Sequence, residues 1–357
     1  MRILFTIGNL DAGGAEKVVA TLSNYFVQSG HEVSILLLST NSNNSFYDLD
    51  KKIEVIPLLD KTNKLSIFKK TKLLSKKIDS FNPDVVISFL NYVIFYTYFA
   101  LRKIKRHITF IVSERNNPKA VPESLLFRKL RNYIFRKADG CVFQTEGAQS
   151  YFRKIKQSSI IPNPLFLNSL ETFDYENLER NKTILMVGSD KPEKNRSMAF
   201  KAFALFHKSH PNHKLVVVGS DSNKKEMSLL KKINIEEFVN FVGRSNEWHR
   251  KYISSEMFIL TSNFEGMPNA LLEACALQIP CVSTDCPTGG PKEILNNGER
   301  GILVKVNDSE ALAKEMSRLA DDKELRNKIS FKNKNTGLLY SPDIIAKKWI
   351  DFIKSLS

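Results

Sequence analysis

Two series of short apolar runs, each run followed by a stretch of helical periodicity, constrain this chain more than any other feature. The first series is Ile3–Ile7, Glu32–Leu38, Val85–Phe89, Thr109–Ser113 and Gly140–Gln144. The second series is Thr183–Val187, Leu215–Val218, Val239–Val242, Met257–Leu260 and Pro280–Ser283. Strands that alternate with helices form parallel sheets, because each crossover must return the chain to the same edge of the sheet. The sequence therefore predicts an α/β protein whose sheets are covered by helices on both faces.

The two series are separated by a change in composition, which predicts two domains. Residues 160–164 read Ile-Ile-Pro-Asn-Pro, and the polar stretch 168–182 follows them. A chain of 357 residues also exceeds the length at which a single hydrophobic core usually stops growing. We therefore expect an N-terminal domain over 1–165, a linker over 166–182 and a C-terminal domain over 183–342. Residues 343–357 follow Pro342 with a helical apolar pattern and should dock on a folded domain.

Positive charge is concentrated in the first half of the chain. Residues 1–165 contain 25 Lys and Arg against 13 Asp and Glu, whereas the remaining 192 residues contain 28 against 25. Most of the excess lies in Lys61–Lys77, Arg102–Arg106 and Arg128–Lys137. Such a surface attracts anionic lipid headgroups, phosphorylated acceptors or nucleic acid. A solvated lysine-rich face explains the same pattern, so the charge alone leaves the partner open.

The sequence shows no sign of a membrane span, a leader or a disulfide framework. No apolar run reaches the roughly 18 residues of a spanning helix, and the chain opens directly on the strand-like Ile3–Ile7. We therefore expect a cytoplasmic protein. The four cysteines lack metal-ligand spacing and are interpreted as reduced packing residues. His207, His210 and His213 have loose metal-like spacing but lack acidic neighbours, so no metal site is predicted.

The corner between the first apolar run and the first helical stretch holds a glycine pair, Gly13-Gly14. A P-loop would need a lysine where Gly14 stands, and the dinucleotide pattern G-x-G-x-x-G is absent there. Glycine at a strand-to-helix corner commonly serves the backbone alone. The pair by itself therefore indicates a corner, and a ligand-binding role needs support from elsewhere in the chain.

The strongest chemical signal is Thr261–Ala276, a turn between a buried run and a helix. Glu265 lies in the turn, and Glu273 lies on the helix after seven intervening residues. The turn through Gly266 and Pro268 presents backbone N–H groups at a helix N-terminus, which suits an anion. A carboxylate accepts hydrogen bonds from vicinal hydroxyls, which ribose and hexoses share. The spacing alone is equally compatible with a capped helix and a surface carboxylate.

Residues 262–274, Ser-Asn-Phe-Glu-Gly-Met-Pro-Asn-Ala-Leu-Leu-Glu-Ala, resemble the E-x7-E signature of glycosyltransferase family 4. The similarity covers nearly the whole chain through Asp11–Glu16, Gly30–Val33, Val187-Gly188 with Lys194-Asn195, Phe241–Arg244 and Gly301–Val304. The resemblance implies the GT-B fold, in which two Rossmann-like, doubly wound parallel-sheet domains face each other across a cleft. It also implies that the C-terminal helix returns to the N-terminal domain. The implied role is bacterial surface-polysaccharide synthesis, of the O-antigen, capsule or lipopolysaccharide type.

The resemblance implies a donor site in the C-terminal domain. Glu265 would contact the donor hexose, Glu273 would bind the ribose hydroxyls and Lys194 would neutralise the diphosphate. The other donor-binding residues that it implies are Gly266, Met267, Pro268, Asn269 and Leu272 around the turn, with Gly13 and Gly14 from the opposite domain. The loop Pro287–Pro291 resembles that of enzymes using a UDP-linked N-acetylhexosamine or galactose, so a UDP-sugar is favoured.

Two positions depart from the family pattern. Ser189 stands where an arginine usually assists the lysine, so Lys191 or Arg244 would have to supply the second cation. Arg115 stands where related enzymes often carry a histidine near the reacting centre. Because arginine stays protonated, Arg115 cannot be a general base and would stabilise charge or orient the acceptor.

The N-terminal domain would hold the acceptor. Glu114 and Asn116 are expected on the acceptor side, and a structural Glu114–Arg115 pair at a strand end is the alternative interpretation. Related assembly enzymes use polyprenyl-diphosphate-linked oligosaccharides at the inner face of the plasma membrane. The basic segments beside the aromatic helix 89–99 therefore predict peripheral association with an anionic membrane. That helix is equally compatible with a buried core.

The resemblance further implies a retaining transfer that needs no cofactor and no divalent metal. Lysine, arginine and helix N-termini would balance the charge of the departing nucleoside diphosphate. We expect Lys194 and Glu265 to be indispensable, and Arg115 to be important without acting as the base.

Three other functions remain open at this stage. The charge suggests a nucleic-acid-binding protein, but no recognition module stands out, so nucleic acid is not an expected partner. A sugar-nucleotide epimerase shares the fold but would need an acid–base set that the sequence does not show. The missing arginine at Ser189 suggests a non-catalytic sensor of nucleotide sugars.

Overall fold

The computed structural model describes residues 1–40, 42–58, 66–165, 167, 175, 178–245 and 247–356. The chain forms two compact units: unit 1 is Met1–Phe166 with Tyr340–Ser357, and unit 2 is Leu167–Leu339. Most of the linker predicted over 166–182 lies outside the described residues, as do Lys61 and Lys64 of the basic segments.

Unit 1 is built on parallel strands joined by helices. Its strands are β1 (Arg2–Ile7), β2 (Glu32–Leu37), β3 (Glu54–Pro57), β4 (Val85–Phe89), β5 (Thr109–Glu114), β6 (Gly140–Phe143) and β7 (Ser158–Ile160). Its connecting helices are α1 (Gly14–Gln28), α2 (Ile67–Phe81), α3 (Asn91–Leu101), α4 (Leu125–Lys137) and α5 (Glu146–Tyr151). The strands pair in the order β3-β2-β1-β4-β5-β6-β7, and every pairing is parallel.

Unit 2 repeats this plan. Its strands are β8 (Asn181–Val187), β9 (Lys214–Val218), β10 (Val239–Val242), β11 (Ser255–Leu260), β12 (Cys281–Thr284) and β13 (Ile302–Val304). Its helices are α6 (Arg196–His207), α7 (Lys224–Lys232), α8 (Trp248–Tyr252), α9 (Asn269–Ala276), α10 (Gly290–Ile294), α11 (Ser309–Asp321), α12 (Lys323–Lys332) and α13 (Thr336–Leu339). The strands pair in the order β10-β9-β8-β11-β12-β13, again all parallel.

Each sheet reverses its strand order once, between β1 and β4 in unit 1 and between β8 and β11 in unit 2. This is the doubly wound Rossmann-like arrangement, and ligands of such sheets bind outside the carboxyl ends of the strands near the reversal. The predicted α/β architecture with two parallel sheets is therefore confirmed.

The last helix, α14 (Pro342–Ser355), belongs to the core of unit 1. Trp349 is fully buried and stacks on Phe89 with ring centroids 6.1 Å apart. Ile345 and Ile353 are buried in the same apolar cluster, which also contains Phe5. The expected return of the C-terminal helix to the N-terminal domain is confirmed, and burial of each large apolar side chain contributes about 1.5–3 kcal/mol.

The structure contains three strands that the sequence analysis did not predict, β3, β7 and β13. Each lies at an edge of its sheet, and each is only partly buried. An edge strand packs against fewer neighbours than a central one, so its sequence needs no continuous apolar run. The five predicted runs of each series all form strands, with ends that differ by at most two residues.

Candidate functional site

The E-x7-E loop lies at the carboxyl end of β11 in unit 2. β11 ends at Leu260, the loop passes through Glu265, and α9 begins at Asn269. Pro268 precedes the first turn of α9 with a φ of −74°, which suits the fixed geometry of proline. The predicted passage from a buried strand through a turn into a helix is confirmed.

Glu265 forms an ion pair with Lys194. The Nζ atom of Lys194 lies 2.5 Å from Oε1 of Glu265, and the Ser262 hydroxyl donates to the same oxygen at 2.7 Å. The side chains of Lys194 and Glu265 are 25% and 13% exposed, so a ligand can reach both. Within the described ranges, no donor contacts Oε2 of Glu265. The structure therefore brings together two of the three predicted catalytic residues.

Backbone contacts position Lys194 beside the loop. A 3₁₀ turn, Pro192–Lys194, follows β8, and Asn195 then adopts a left-handed conformation with a φ of 46°, which asparagine tolerates. The Thr261 hydroxyl donates to the Lys194 carbonyl at 3.0 Å, and the Asn263 N–H donates to the Glu193 carbonyl at 2.8 Å. These bonds join the ends of β8 and β11 across the point where the strand order reverses.

The loop that follows β12 fixes the other side of the E-x7-E loop. Thr284 Oγ1 donates to the Ser262 carbonyl at 2.7 Å, and Cys286 Sγ donates to the same carbonyl at 3.0 Å. Burial raises the pKa of the Cys286 thiol to about 12, which keeps it protonated and able to donate. Thr288 Oγ1 donates to the Glu265 carbonyl at 2.7 Å.

Two glycines allow these loops to meet. A Cβ atom on Gly290 would lie 1.8 Å from the Gly266 carbonyl oxygen, a distance that no side chain could occupy. The glycine-rich loop after β12 therefore meets the E-x7-E loop by direct backbone contact.

Glu273 lies on α9 and is only 5% exposed. The indole N–H of Trp248, at the start of α8, donates to Glu273 Oε2 at 3.2 Å. Trp248 is also 5% exposed, so this contact holds the carboxylate largely away from solvent. The sequence analysis missed Trp248, for which the available signal was an isolated tryptophan in a polar segment.

The other residues predicted to bind the donor differ in their exposure to solvent. Met267 is 6% and Leu272 is 1% exposed, so the Leu272 side chain packs inside unit 2. Lys191 and Arg244 are exposed and Ser189 is half-buried. Among the described residues, no hydrogen bond or ion pair joins any of these three to Lys194 or Glu265.

Arg196 is a buried cation close to Lys194 in sequence, but its partners are structural. Its guanidinium donates to Ser220 Oγ at 2.8 Å, pairs with Glu226 Oε1 at 3.0 Å and lies 5.1 Å from the Phe241 ring centroid. These contacts tie α6 to the segment after β9, to α7 and to β10. Arg196 is therefore not a candidate for the second cation that Ser189 lacks.

In unit 1, the Gly13-Gly14 corner is held by Tyr47. The Tyr47 hydroxyl donates to the Gly13 carbonyl at 2.8 Å, and the Gly13 N–H donates back to that hydroxyl at 3.1 Å. Gly13 has an extended backbone with a φ of −161°, which any residue can adopt. Gly14 is the first residue of α1 and is exposed, and the pair follows the carboxyl end of β1.

Glu114, at the end of β5, is 3% exposed and faces into the protein. Its Oε2 lies 3.5 Å from Nη1 of the fully buried Arg131, and its Oε1 accepts the backbone N–H groups of Arg115 and Asn116. Burial raises the pKa of Glu114 to about 7, and the charge of Arg131 opposes that rise. The alternative interpretation, a structural Glu114–Arg115 ion pair, is wrong, because the ion pair of Glu114 forms with Arg131 of α4.

Arg115 turns away from Glu114 toward the end of the sheet. Its Nη1 donates to Asn163 Oδ1 at 2.8 Å, and the guanidinium lies 4.6 Å from the Phe89 ring centroid and 5.6 Å from that of Trp349. Burial lowers the pKa of Arg115 to about 9, so it remains a cation at neutral pH. Its Nε and Nη2 atoms are buried and have no hydrogen-bond partner in the described part of the chain.

Two of the three clustered histidines of unit 2, His210 and His213, have acidic partners. His210 Nε2 lies 3.1 Å from Asp321 Oδ1, and His213 Nε2 lies 2.6 Å from Glu256 Oε2. The expectation that these histidines lack acidic neighbours is wrong for His210 and His213, because α11 and β11 bring carboxylates from distant positions. Over the described ranges, no group of three or more His, Cys, Asp or Glu side chains could hold a metal ion.

Unit 1 carries an apolar, cationic face on α2, α3 and α4. Ile67, Phe68, Leu125, Leu126 and Phe127 are 72%, 68%, 71%, 72% and 49% exposed. Helix α3 links them, since Lys103 just beyond it lies 4.6 Å from the Phe68 ring centroid and its Phe95 stacks on Phe127 at 5.9 Å. The aromatic helix is therefore both core and surface, with Val93, Ile94 and Tyr98 buried and Tyr92 and Phe99 exposed.

We searched the described helices for a segment long and apolar enough to cross a membrane, and none has both properties.

Comparison with known proteins decides the family. Residues 12–167 match the family described as Glycosyltransferase Family 4, and residues 170–336 match that described as Glycosyl transferases group 1. The chain belongs to glycosyltransferase family 4. The structure of Anabaena HepE in complex with UDP and glucose superimposes on this family 4 member with a TM-score of 0.81, 16% identity and coverage of 99% of both chains. The fold is therefore GT-B, as the sequence analysis expected.

Two curated relatives span the full length of this family 4 chain. A Campylobacter jejuni α-1,4-N-acetyl-D-galactosaminyltransferase, named for a diNAcBac-PP-undecaprenol-linked acceptor, is 28% identical over 99% of this chain and 98% of its own. The Erwinia amylovora amylovoran biosynthesis glycosyltransferase AmsD is 26% identical over 97% of each chain.

Proposed function

We propose that this family 4 enzyme transfers a hexose or N-acetylhexosamine, with retention of configuration, from a UDP-sugar to a lipid-linked oligosaccharide in surface-polysaccharide synthesis. The observation that carries the proposal is the Lys194–Glu265 pair at the strand reversal of unit 2, with both side chains accessible. The names of the full-length relatives support the acceptor and the polysaccharide. HepE, which binds UDP and glucose, supports the donor.

Lys194 and Glu265 have complementary tasks in this proposal. An ammonium group has three donors, so Lys194 can keep its bond to Glu265 Oε1 and still donate to a phosphate oxygen. Since Ser262 and Lys194 both occupy Oε1, Oε2 of Glu265 remains available to a hydroxyl of the donor sugar. The N-terminus of α9 adds partial positive charge next to this pair.

Charge balance replaces a metal in the proposed reaction. The acceptor hydroxyl oxygen bonds to the anomeric carbon as the bond from that carbon to the diphosphate oxygen breaks. The hydroxyl proton passes to the departing phosphate on the same face of the sugar, and Lys194 stabilises the developing charge. Glu265 already accepts two hydrogen bonds on Oε1, which favours a positioning role over that of a base.

Arg115 and the apolar face of unit 1 serve the acceptor in this proposal. Arg115 stays cationic and is held by Asn163, so it can orient an anionic or hydroxylated group but cannot remove a proton. The exposed apolar residues of α2 and α4 suit peripheral contact with an anionic membrane, because α4 also contains four Lys or Arg besides the buried Arg131 and no acidic residue.

A donor screen tests the proposal directly. The purified protein is incubated with radiolabelled UDP-GalNAc, UDP-GlcNAc, UDP-Gal, UDP-Glc and GDP-Man, with and without a bacterial lipid extract and with EDTA in a parallel series. We expect label in the lipid fraction with one UDP-sugar, unchanged by EDTA, and an α-linked product by NMR. Binding without release of nucleoside diphosphate, with the sugar nucleotide recovered unchanged, would indicate the sensor that Ser189 suggests. Recovery of a stereoisomeric sugar nucleotide without lipid labelling would indicate an epimerase.

A further inference from the structure

Outside the donor and acceptor sites, unit 1 has a cavity of about 480 Å³ near the start of β5, at the opposite end of that strand from Glu114. Its wall includes Ile108 and Phe110, at the start of β5, and the end of α3. Tyr98 and Tyr133 line it edge to face with ring centroids 6.2 Å apart. The cavity, which we call the cationic pocket, thus has an aromatic and aliphatic interior.

The rim of the cationic pocket is formed by Arg102, Arg106, Lys137 and Lys156. The one carboxylate of the lining, Asp139, is already engaged by Lys156 Nζ at 3.2 Å and by the Phe110 N–H at 3.0 Å. Arg102 and Lys137 form no ion pair within the described residues. The rim therefore has positive charge in excess.

Arg106 is a cation of the lining whose position is fixed by its neighbours. Its Nη1 donates to the Pro83 carbonyl at 2.9 Å and its Nε lies 3.5 Å from Asp79, which fixes the guanidinium. Its Nη2 is buried and has no partner in the described part of the chain. These contacts hold a positive charge at the wall of the cavity, where it can attract an anionic group.

We propose that the cationic pocket binds the phosphodiester headgroup of an anionic phospholipid. The rim cations would bind the phosphate, and the aromatic interior would contact the glycerol and first methylenes. Two observations select a lipid. The positive charge of the pocket complements an anionic headgroup. The pocket also adjoins the exposed apolar residues of α2, because Lys103, which contacts Phe68, directly follows the pocket residue Arg102 at the end of α3. This inference rests on the proposed membrane association and gives it a defined site.

Vesicle sedimentation provides the first test. Arg102→Ala/Lys137→Ala is compared with Lys51→Ala/Lys52→Ala, which removes two exposed lysines from the turn before β3, at the far edge of the same sheet. On phosphatidylglycerol-containing vesicles we expect the pocket variant to bind about thirtyfold more weakly than wild type, and the control within about threefold. Equal losses in both variants would show a diffuse charge effect and overturn the proposal.

A soluble lipid provides the second test. Dihexanoyl-phosphatidylglycerol below its micelle concentration is titrated with protein and followed by ³¹P line broadening, alongside inorganic phosphate. We expect saturable broadening of the lipid with wild type and with the control, and its loss in the pocket variant. No saturation, or equal binding of inorganic phosphate, would overturn the assignment to a lipid headgroup.

Two checks keep these tests decisive. The melting curve of each variant shows whether it is folded, and Lys137→Gln replaces the double variant if that one melts early. Neither binding test contains a sugar nucleotide, so failure of the proposed transferase in the donor screen and failure of the lipid pocket are separate results.

Discussion

The two ion pairs at the carboxyl ends of the two sheets have the same chemistry and opposite exposure. Lys194 and Glu265 are 25% and 13% exposed and approach to 2.5 Å. Arg131 and Glu114 are 0% and 3% exposed and stand 3.5 Å apart. A pair that solvent can reach costs little to form and can exchange partners with a ligand, whereas a buried pair must stay closed once folding has removed its water. Exposure therefore separates the candidate functional pair from the structural one.

The largest expected effect comes from breaking the buried pair. Arg131→Met leaves the Glu114 carboxylate without its cation, and we expect a loss of about 3–5 kcal/mol in the free energy of unfolding at pH 8. Urea denaturation measures this. Arg136→Met removes an exposed cation from the same helix and should cost under about 1 kcal/mol. Equal costs for the two variants would remove the basis of the comparison.

The accessible pair should show the reverse pattern. Lys194→Met is expected to lower kcat/KM by about 10²–10³-fold, because a cation that stabilises the leaving group is lost. Its free energy of unfolding should change by no more than about 1 kcal/mol. Lys201→Met, an exposed lysine on α6, is the matched control and should leave both quantities unchanged. A Lys194→Met enzyme with full kcat/KM would refute the assignment of Lys194.

Ser262 tests how the accessible pair is held. Ser262→Ala removes one hydrogen bond to Glu265 Oε1, and we expect kcat/KM to fall about tenfold. Ser283→Ala removes a buried hydroxyl from the neighbouring strand β12 and supplies the control for simple loss of a buried serine. If both variants lose stability alike but only Ser262→Ala loses kcat/KM, Ser262 positions Glu265. Equal kcat/KM in the two variants would limit Ser262 to a structural role.

The buried pair should also reveal itself through pH. Because burial raises the pKa of Glu114 from 4.5 to about 7, the folded protein binds a proton that the unfolded chain releases between these values. The contribution of Glu114 to stability therefore falls as pH rises through this window, by about 1 kcal/mol between pH 5 and 6. Urea midpoints of wild type and Glu114→Gln across this range should show the difference, and Glu123→Gln, at an exposed site, should follow wild type.

The sequence predicted the strands that lie inside a sheet and are buried on both faces. It missed three short edge strands, whose formation depends on the strand that they pair with. Two of the central strands are formed by the runs Ile3–Ile7 and Val85–Phe89. Because both faces of such strands are buried, their residues are almost all apolar, and the sequence shows this directly. β7 is three residues long at a sheet edge, and its pairing with Phe143 depends on tertiary position. Local pattern carries no signal of that kind.

The same distinction holds for the site. The E-x7-E loop was recognisable because Glu265 and Glu273 lie in one motif, and Lys194 was found through family resemblance. Two other contacts join residues of separate elements, Trp248 with Glu273 and Arg131 with Glu114. No sequence spacing predicts contacts of this kind. Only the folded arrangement reveals which charged residues share a partner.

Helix α14 has a consequence for how the chain is made. Trp349 and Ile353 complete the core that contains Phe5 and Phe89, yet they are translated after all of the second unit. During synthesis the first unit cannot complete its core until α14 has been translated, so part of its apolar surface stays exposed to water while the second unit is made. The N-terminal half of this enzyme therefore finishes folding last, and a chain that stops before residue 342 lacks part of its first core rather than its second.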